Sequence, residues 1–206
     1  VTMGRQLNPS FWGVAADELT GTANYSVIAN TFGWGADHHR HNSMFAYKTP
    51  NMGGFTASLG YILKDDATVL PPSGEGYQGA KWDLNAIYAN GPLAVALSAN
   101  KAKDEKTGYA LGGKYNFGSF VVSASYHNSR EYRQRRGFAV GGTANLGAFA
   151  VTLDLTRTTK DFTGAKKYTN GLLEGKYALS KRTFAYAAYL RLQGLNNFGI
   201  GLRHNF

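Results

Sequence analysis

From Phe55 to the end of the chain, apolar and polar residues alternate with a period of two, in runs of roughly 8 to 11 residues broken by turn chemistry, the pattern of half-buried β-strands. Phe55, Ala57, Leu59, Tyr61 and Leu63 share one face against Thr56, Ser58, Gly60 and Lys64. Trp82, Leu84, Ala86 and Tyr88 oppose Lys81, Asp83 and Asn85. Leu93, Val95, Leu97 and Ala99 oppose Ser98 and Asn100. Tyr109, Leu111, Tyr115 and Phe117 oppose Ala110, Gly112 and Lys114, and Phe120, Val122, Ala124 and Tyr126 oppose Ser123, Ser125 and His127. Residues 138–146, 149–155, 172–179, 184–192 and 198–206 repeat the theme, and adding 1–6 and 42–49 predicts twelve strands.

The two faces differ in kind. The bulky face of these runs carries no Lys, Arg, Asp or Glu from Phe55 onward, whereas the other is small or polar with scattered charge. A soluble sandwich or small barrel turns its large side chains inward to fill a core. Here the small, hydrated face reads as a lumen and the bulky one as an outward apolar band, the signature of a transmembrane antiparallel β-barrel. The connections agree. Residues 51–54, 90–92, 117–119, 146–148 and 180–182 are tight turns, while 64–79, 101–108, 128–136, 157–167 and the shorter 193–197 are longer polar links. Short turns on one rim and long loops on the other fit the periplasmic and extracellular sides. Phe55, Phe120, Phe149 and Phe184 each follow a short turn and are placed for an interfacial aromatic girdle.

Composition narrows the class further. With 206 residues, 26 Gly, five Pro and no Cys, the chain is a single-domain prospect without a disulfide frame or thiolate metal site. Its longest uncharged stretch, 137–153, is broken by four Gly and by Thr143, Asn145 and Thr152, which excludes a membrane-crossing helix. The formal charge of +9 is spread singly, apart from a cluster at 130–136 that contains Glu131, and this dispersion argues against a nucleic-acid partner. The first residues have neither a charged n-region nor an apolar h-region, so a leader is expected to have been cleaved or to lie upstream. Residues 8–40 break the alternation. They mix Phe11, Trp12, Tyr25, Phe32 and Trp34 with Asp17, Glu18 and Asp37, and an aromatic-rich segment of this length is expected to fold against the inner wall.

Val1-Thr2-Met3-Gly4-Arg5-Gln6, the stretch from Arg40 and Asn42-Ser43 through Tyr47-Lys48-Thr49-Pro50 to Gly54-Phe55, and the closing Gly199-Ile200-Gly201-Leu202-Arg203-His204-Asn205-Phe206 resemble the general diffusion porins of β-proteobacteria and Neisseria. The resemblance covers the whole chain. It implies a trimeric sixteen-stranded barrel of the Gram-negative outer membrane, with this chain supplying strands five to sixteen, 8–40 as the inward constriction loop, and Phe206 as the terminal residue read by the barrel assembly machinery. Without the first four strands, two strand edges would be left open that lipid cannot satisfy, so a fragment of a longer porin is the favoured reading over a genuine closed twelve-stranded barrel.

Such a chain would act as a passive, water-filled channel for small hydrophilic solutes, with selectivity set by lining charge. Alternation puts Arg40, Lys48, Lys64, Lys81, Lys114, Lys176, Arg191 and Arg203 on the lumen face against Asp83, Asp154 and Glu174, eight cations to three acids. An anion preference follows, for small anionic or polar solutes, with Asp17, Glu18 and Asp37 facing the basic wall across the constriction. Arg5 joins the constriction on resemblance alone, because Val1 and Met3 share its outward phase unless a bulge at Gly4 turns it in. No cofactor is called for. His38, His39 and His41 beside Asp37 are too isolated to read as a metal site. Two rival classes remain. One is an outer-membrane phospholipase-like enzyme built on the His-x-Ser pairs His41/Ser43 and His127/Ser129, with no partnering acid in sight. The other is a barrel that conducts nothing and serves as an anchor.

Overall fold

The computed structural model describes residues 1–35, 39–64, 80–103, 105–130, 133–164 and 166–205. Among these residues twelve strands form one antiparallel sheet in strict sequence order: β1 Thr2–Leu7, β2 Arg40–Lys48, β3 Phe55–Ile62, β4 Lys81–Asn90, β5 Leu93–Ala102, β6 Gly108–Asn116, β7 Phe120–Asn128, β8 Arg135–Leu146, β9 Phe149–Asp161, β10 Thr169–Ala178, β11 Thr183–Leu192 and β12 Leu195–His204. Between β1 and β2 lie two helices that the alternation did not predict, α1 Pro9–Asp17 and α2 Val27–Phe32. Among the described residues no helix is long and apolar enough to cross a membrane.

The bulky face looks outward, as the alternation requires. Leu59, Leu111, Val122 and Leu153 are about half exposed, whereas Asn85, Ser98, Ser123, Ser125 and Thr152, one position out of phase, are buried beneath the segment between β1 and β2. Phe55, Phe120 and Phe149 take up the outward positions expected of a girdle.

Four features differ from the sequence reading. First, β9 runs to Asp161, so the first five residues of the supposed 157–167 loop belong to a strand extending beyond the apolar band. Second, the supposed link at 193–197 is a two-residue turn, in which Gln193 and Gly194 both have positive φ (52° and 88°) as a type I′ hairpin demands. Third, β2 contains a bulge. Gly4 pairs with Met44 but Gln6 with His41, so β2 has one residue more than β1 across that step, and an extra residue reverses the faces beyond it. His41 is turned inward and buried, and Arg40 is moved off the lumen phase onto an exposed position opposite Leu7. Fourth, β11 is inverted. Its pairing partners put Ala185, Ala187, Tyr189 and Arg191 on the outer face with Tyr177, Leu173 and Gly171. The bulky Tyr186 and Leu190 therefore point inward, and Phe184 lies on the inner side under the Lys176 ammonium, 5.3 Å from its ring centroid, rather than in the girdle. Arg191, assigned to the lumen by alternation, is an outward residue.

If the outer face meets hydrocarbon, a charge at its middle must be costly. Leu97, central in β5 and 45% exposed, is the test: Leu97→Lys is expected to destabilise the folded protein in bilayers by about 2 to 4 kcal/mol, measured by reversible denaturant unfolding into lipid vesicles.

Candidate functional site: the inner face and its inserted segment

The segment between β1 and β2 is seated on the inner face at both helices. Helix α1 starts with the Asn8 side chain accepting from the Phe11 amide at 3.1 Å and Pro9 at its first position, which needs no amide partner. Asp83 on β4 accepts from the Ser10 amide at 2.5 Å and from its hydroxyl at 2.7 Å, and the Asn85 amide donates to the Pro9 carbonyl at 2.7 Å. At the other end, Ser123 donates to the Asp17 carbonyl at 2.7 Å. Gly112 on β6 is what lets this end approach, since a Cβ there would stand 2.4 Å from Asp17 Oδ1. Val14 and Ile28 close a small apolar cluster with Ala110 and Ala139.

Helix α2 is fixed to the opposite part of the wall. Thr31 shares a 2.8 Å hydrogen bond with Thr156 and accepts one from Asn170 at 2.8 Å. Arg135 donates to the Thr31 carbonyl at 3.3 Å while pairing with Asp161 at 3.0 Å. Val27 packs into a second cluster with Leu172, Ala188 and Leu190, which explains why β11 presents bulk inward. Phe32 stacks on His127, with ring centroids 4.8 Å apart.

Between the helices, three wall cations reach the backbone that follows α1. Lys114 Nζ donates to the Glu18 carbonyl at 3.5 Å, Lys176 Nζ to the Thr20 carbonyl at 3.1 Å, and Arg203 to the Gly21 carbonyl at 2.9 Å. These carbonyls lie past Asp17, the last residue of α1, and each gains a cationic donor from the wall. Lys176 also pairs with Glu174 at 2.9 Å, whose other oxygen accepts from the Tyr25 hydroxyl at 2.5 Å. The carboxylate of Glu18 turns back on the Thr20 hydroxyl and the Thr22 amide, and does not face the wall as a free charge.

The expected site residues thus divide. Lys114, Arg203, Asp17 and Glu18 meet at the segment, and Lys81 is buried on the same face as Asp83. Lys48 lines an open cavity of about 610 Å³ between α1 and the wall, together with Thr2, Gln6, Trp12, Ser58 and Asn85; it is the only charged side chain among the described lining residues. Arg40 and Arg191 lie off the inner face, as above. Arg5 is exposed and donates to Asn42 Oδ1 at 2.7 Å, alternating with the inward-paired Gly4 and Gln6. Asp37 and Phe206 lie outside the described residues, as does His38 of the histidine run. Among the described residues no three His, Asp or Glu side chains converge as a metal cluster. The His-x-Ser pairs separate. His127 bonds Ser125 at 2.9 Å, Ser129 donates to the Phe32 carbonyl, and the β2 bulge puts His41 and Ser43 on opposite faces. Sequence reasoning missed Ser10, Asp83, Thr31 and Asn170 as the groups that hold the segment. The Asn8-Pro9 pair was the signal for α1, because an Asx residue before Pro starts helices.

A family model described as Gram-negative porin matches residues 1–197. The chain belongs to that porin family. This places it in the Gram-negative outer membrane as an integral β-barrel protein, and its family is one of porins rather than enzymes. It is 33% identical over 137 residues to outer membrane porin protein 32 of Delftia acidovorans, a match covering 60% of this chain and 38% of that protein's length. In fold it is similar to the anion-selective porin from Comamonas acidovorans, at 21% identity and a TM-score of 0.72 over 99% of this chain and 73% of that one. A triple mutant of the Rh. blastica porin is alike at 13% identity and a TM-score of 0.71, over 99% of this chain and 72% of that one.

Within this porin chain, burial pushes the Asp17 carboxyl up to about 7, outweighing the Ser125 hydroxyl and the Lys114 ammonium, which pull it down. Its unfolded value is about 4. A carboxyl whose pKa is raised by folding contributes stability that is complete below about pH 4 and is lost as the pH rises through 7. Seating of residues 8–35 is therefore expected to tighten as the pH falls from 8 to 5, read as slower proteolytic cleavage within the segment. Asp17→Asn should remove that portion of the pH dependence.

Proposed function

We propose that this porin forms the wall of a passive, water-filled channel for small hydrophilic solutes, with residues 8–40 as its constriction and a preference for anions. Its twelve strands would correspond to the fifth to sixteenth of the family's sixteen, a reading supported by the 73% coverage of the Comamonas porin. The observation that carries the selectivity is the cavity beside α1, whose described lining offers one cationic side chain, Lys48, and no carboxylate. In a low-dielectric mouth a single unpaired charge sets the sign of the local field. Most inner-face acids are engaged: Asp83 by Ser10, Asp161 by Arg135, and Glu174 by Lys176 and Tyr25. The name of the Comamonas protein, an anion-selective porin, agrees in sign.

A homotrimer and recognition of Phe206 by the barrel assembly machinery belong to the same proposal, on family resemblance. The channel reading is tested in planar bilayers under a salt gradient. Lys48→Glu is expected to move the reversal potential toward cation preference, whereas Arg40→Glu and Arg191→Glu, off the inner face, should leave it where it is. A Lys48→Glu channel with the wild-type reversal potential would remove Lys48 from the selectivity site. Triplet conductance steps are expected from the trimer, and silence would favour the anchor.

A further inference from the structure

On the described strands the charges are sorted by face. The four acids, Asp83, Asp154, Asp161 and Glu174, all lie on the inner side. The outward charges from β5 to β11 are all cations: Lys101 beside Trp82, Arg136 opposite Lys160, Arg157 opposite Phe138, and Arg191 opposite Gly171. Each lies toward the rim that carries the long connections, the extracellular rim of an outer-membrane barrel, Arg157 level with the first residue of β10 and the others next to a strand's terminal residue.

Two of these cations flank a groove of about 680 Å³ on the lipid-facing side of β9 to β11. Gly171 is its floor, and Leu153, Leu155, Leu173 and Tyr189 form its walls. Arg191 lines its upper end. Arg157 stands across Thr169, another lining residue, and uses one N–H on the Thr169 hydroxyl at 2.9 Å. A guanidinium has five N–H donors in a fork that matches phosphate, so both retain donors. The groove thus has an apolar lower part at hydrocarbon depth and a doubly cationic, acid-free upper part at headgroup depth.

We propose that this groove binds one phosphorylated glycolipid of the outer leaflet, with an acyl chain over Gly171 and a headgroup phosphate between Arg157 and Arg191. Charge complementarity selects this occupant. The outer face of an identical copy shows no carboxylate on the described strands with which to pair these cations, whereas the phosphate of a leaflet lipid comes at the required depth.

The test uses the full-length protein in detergent, with bisphosphorylated lipid A and its enzymatically dephosphorylated form as probes, followed by native mass spectrometry. The wild type is expected to retain one bisphosphorylated molecule per chain and to bind the dephosphorylated form more weakly by about tenfold or more. Arg157→Gln with Arg191→Gln should give the same loss. Gly171→Leu should also give it by filling the groove with the charges intact, since a Cβ there comes within 3.1 Å of Leu155 Cδ2. Lys101→Gln, which removes an outward cation on β5 away from the groove, should bind as the wild type does. Equal binding of the two lipids, or wild-type affinity in the double variant, overturns the proposal. So does dissociation of the double variant into single chains that still hold the lipid, which would make the groove a face between copies.

Discussion

In a strand whose residues alternate between two faces, the hydrogen-bond register of each hairpin dictates which side its neighbours occupy. The sheet offers no freedom to rotate one strand independently. Once Leu173 looks outward from β10, its partner Tyr189 must do so too, and Arg191 with it. The inner side of β11 then receives Tyr186, Ala188 and Leu190, whatever their polarity. Register thus decides orientation even where the composition of the two faces argues weakly.

The inverted strand is tolerated because its inner side is dry. Val27 and Tyr25 of the inserted segment cover Leu190, Ala188 and Tyr186, so bulk on that side fills a core rather than meeting water. The small residues this leaves outside, Ala185 and Ala187 opposite Gly175, thin the apolar band locally. The segment and the wall are therefore mutually dependent. Strands β4 to β7 supply hydroxyls, an amide and a carboxylate to α1, while β8 to β11 supply an apolar bed and two threonine contacts to α2. Neither helix, at nine and six residues, would persist alone in water.

Much of this was legible in the chain. The twelve strands, their order, the outward bulk at Leu59, Leu111 and Leu153, and the inward seating of the aromatic segment all follow from period two and from the break in it. Three things were not legible, each for a physical reason. An inserted residue at the β2 bulge reverses His41 and Arg40 without leaving a mark in the alternation. A strand such as β11, whose bulkier phase its partners turn inward under the inserted segment, cannot be oriented from its own alternation. The Gln193-Gly194 turn lacks the Asn-Gly or Asp-Gly pair that most strongly marks a two-residue hairpin. The residues assigned to the constriction that depended on those features, Arg40 and Arg191, moved off the inner face, while Lys48, in the regularly paired part of β2 beyond the bulge, and Lys114 did not.

Counting formal charges on a wall is a poor guide to the field that a permeating ion meets. Lys114, Lys176 and Arg203 are cations by count, yet each is turned onto a backbone carbonyl at residue 18, 20 or 21, whose dipole opposes its field. Asp83 and Glu174 are acids by count, but donors that hold the segment surround them. Charges within such networks cancel over a few ångströms, and beyond about 8 to 10 Å salt screens what remains. On the proposed channel reading, what survives at the cavity is the charge that these networks do not draw in, Lys48, the last residue of β2, beside open space. On that proposal, selectivity would be a residue of folding, falling to whichever side chain the packing of the inserted segment leaves unused.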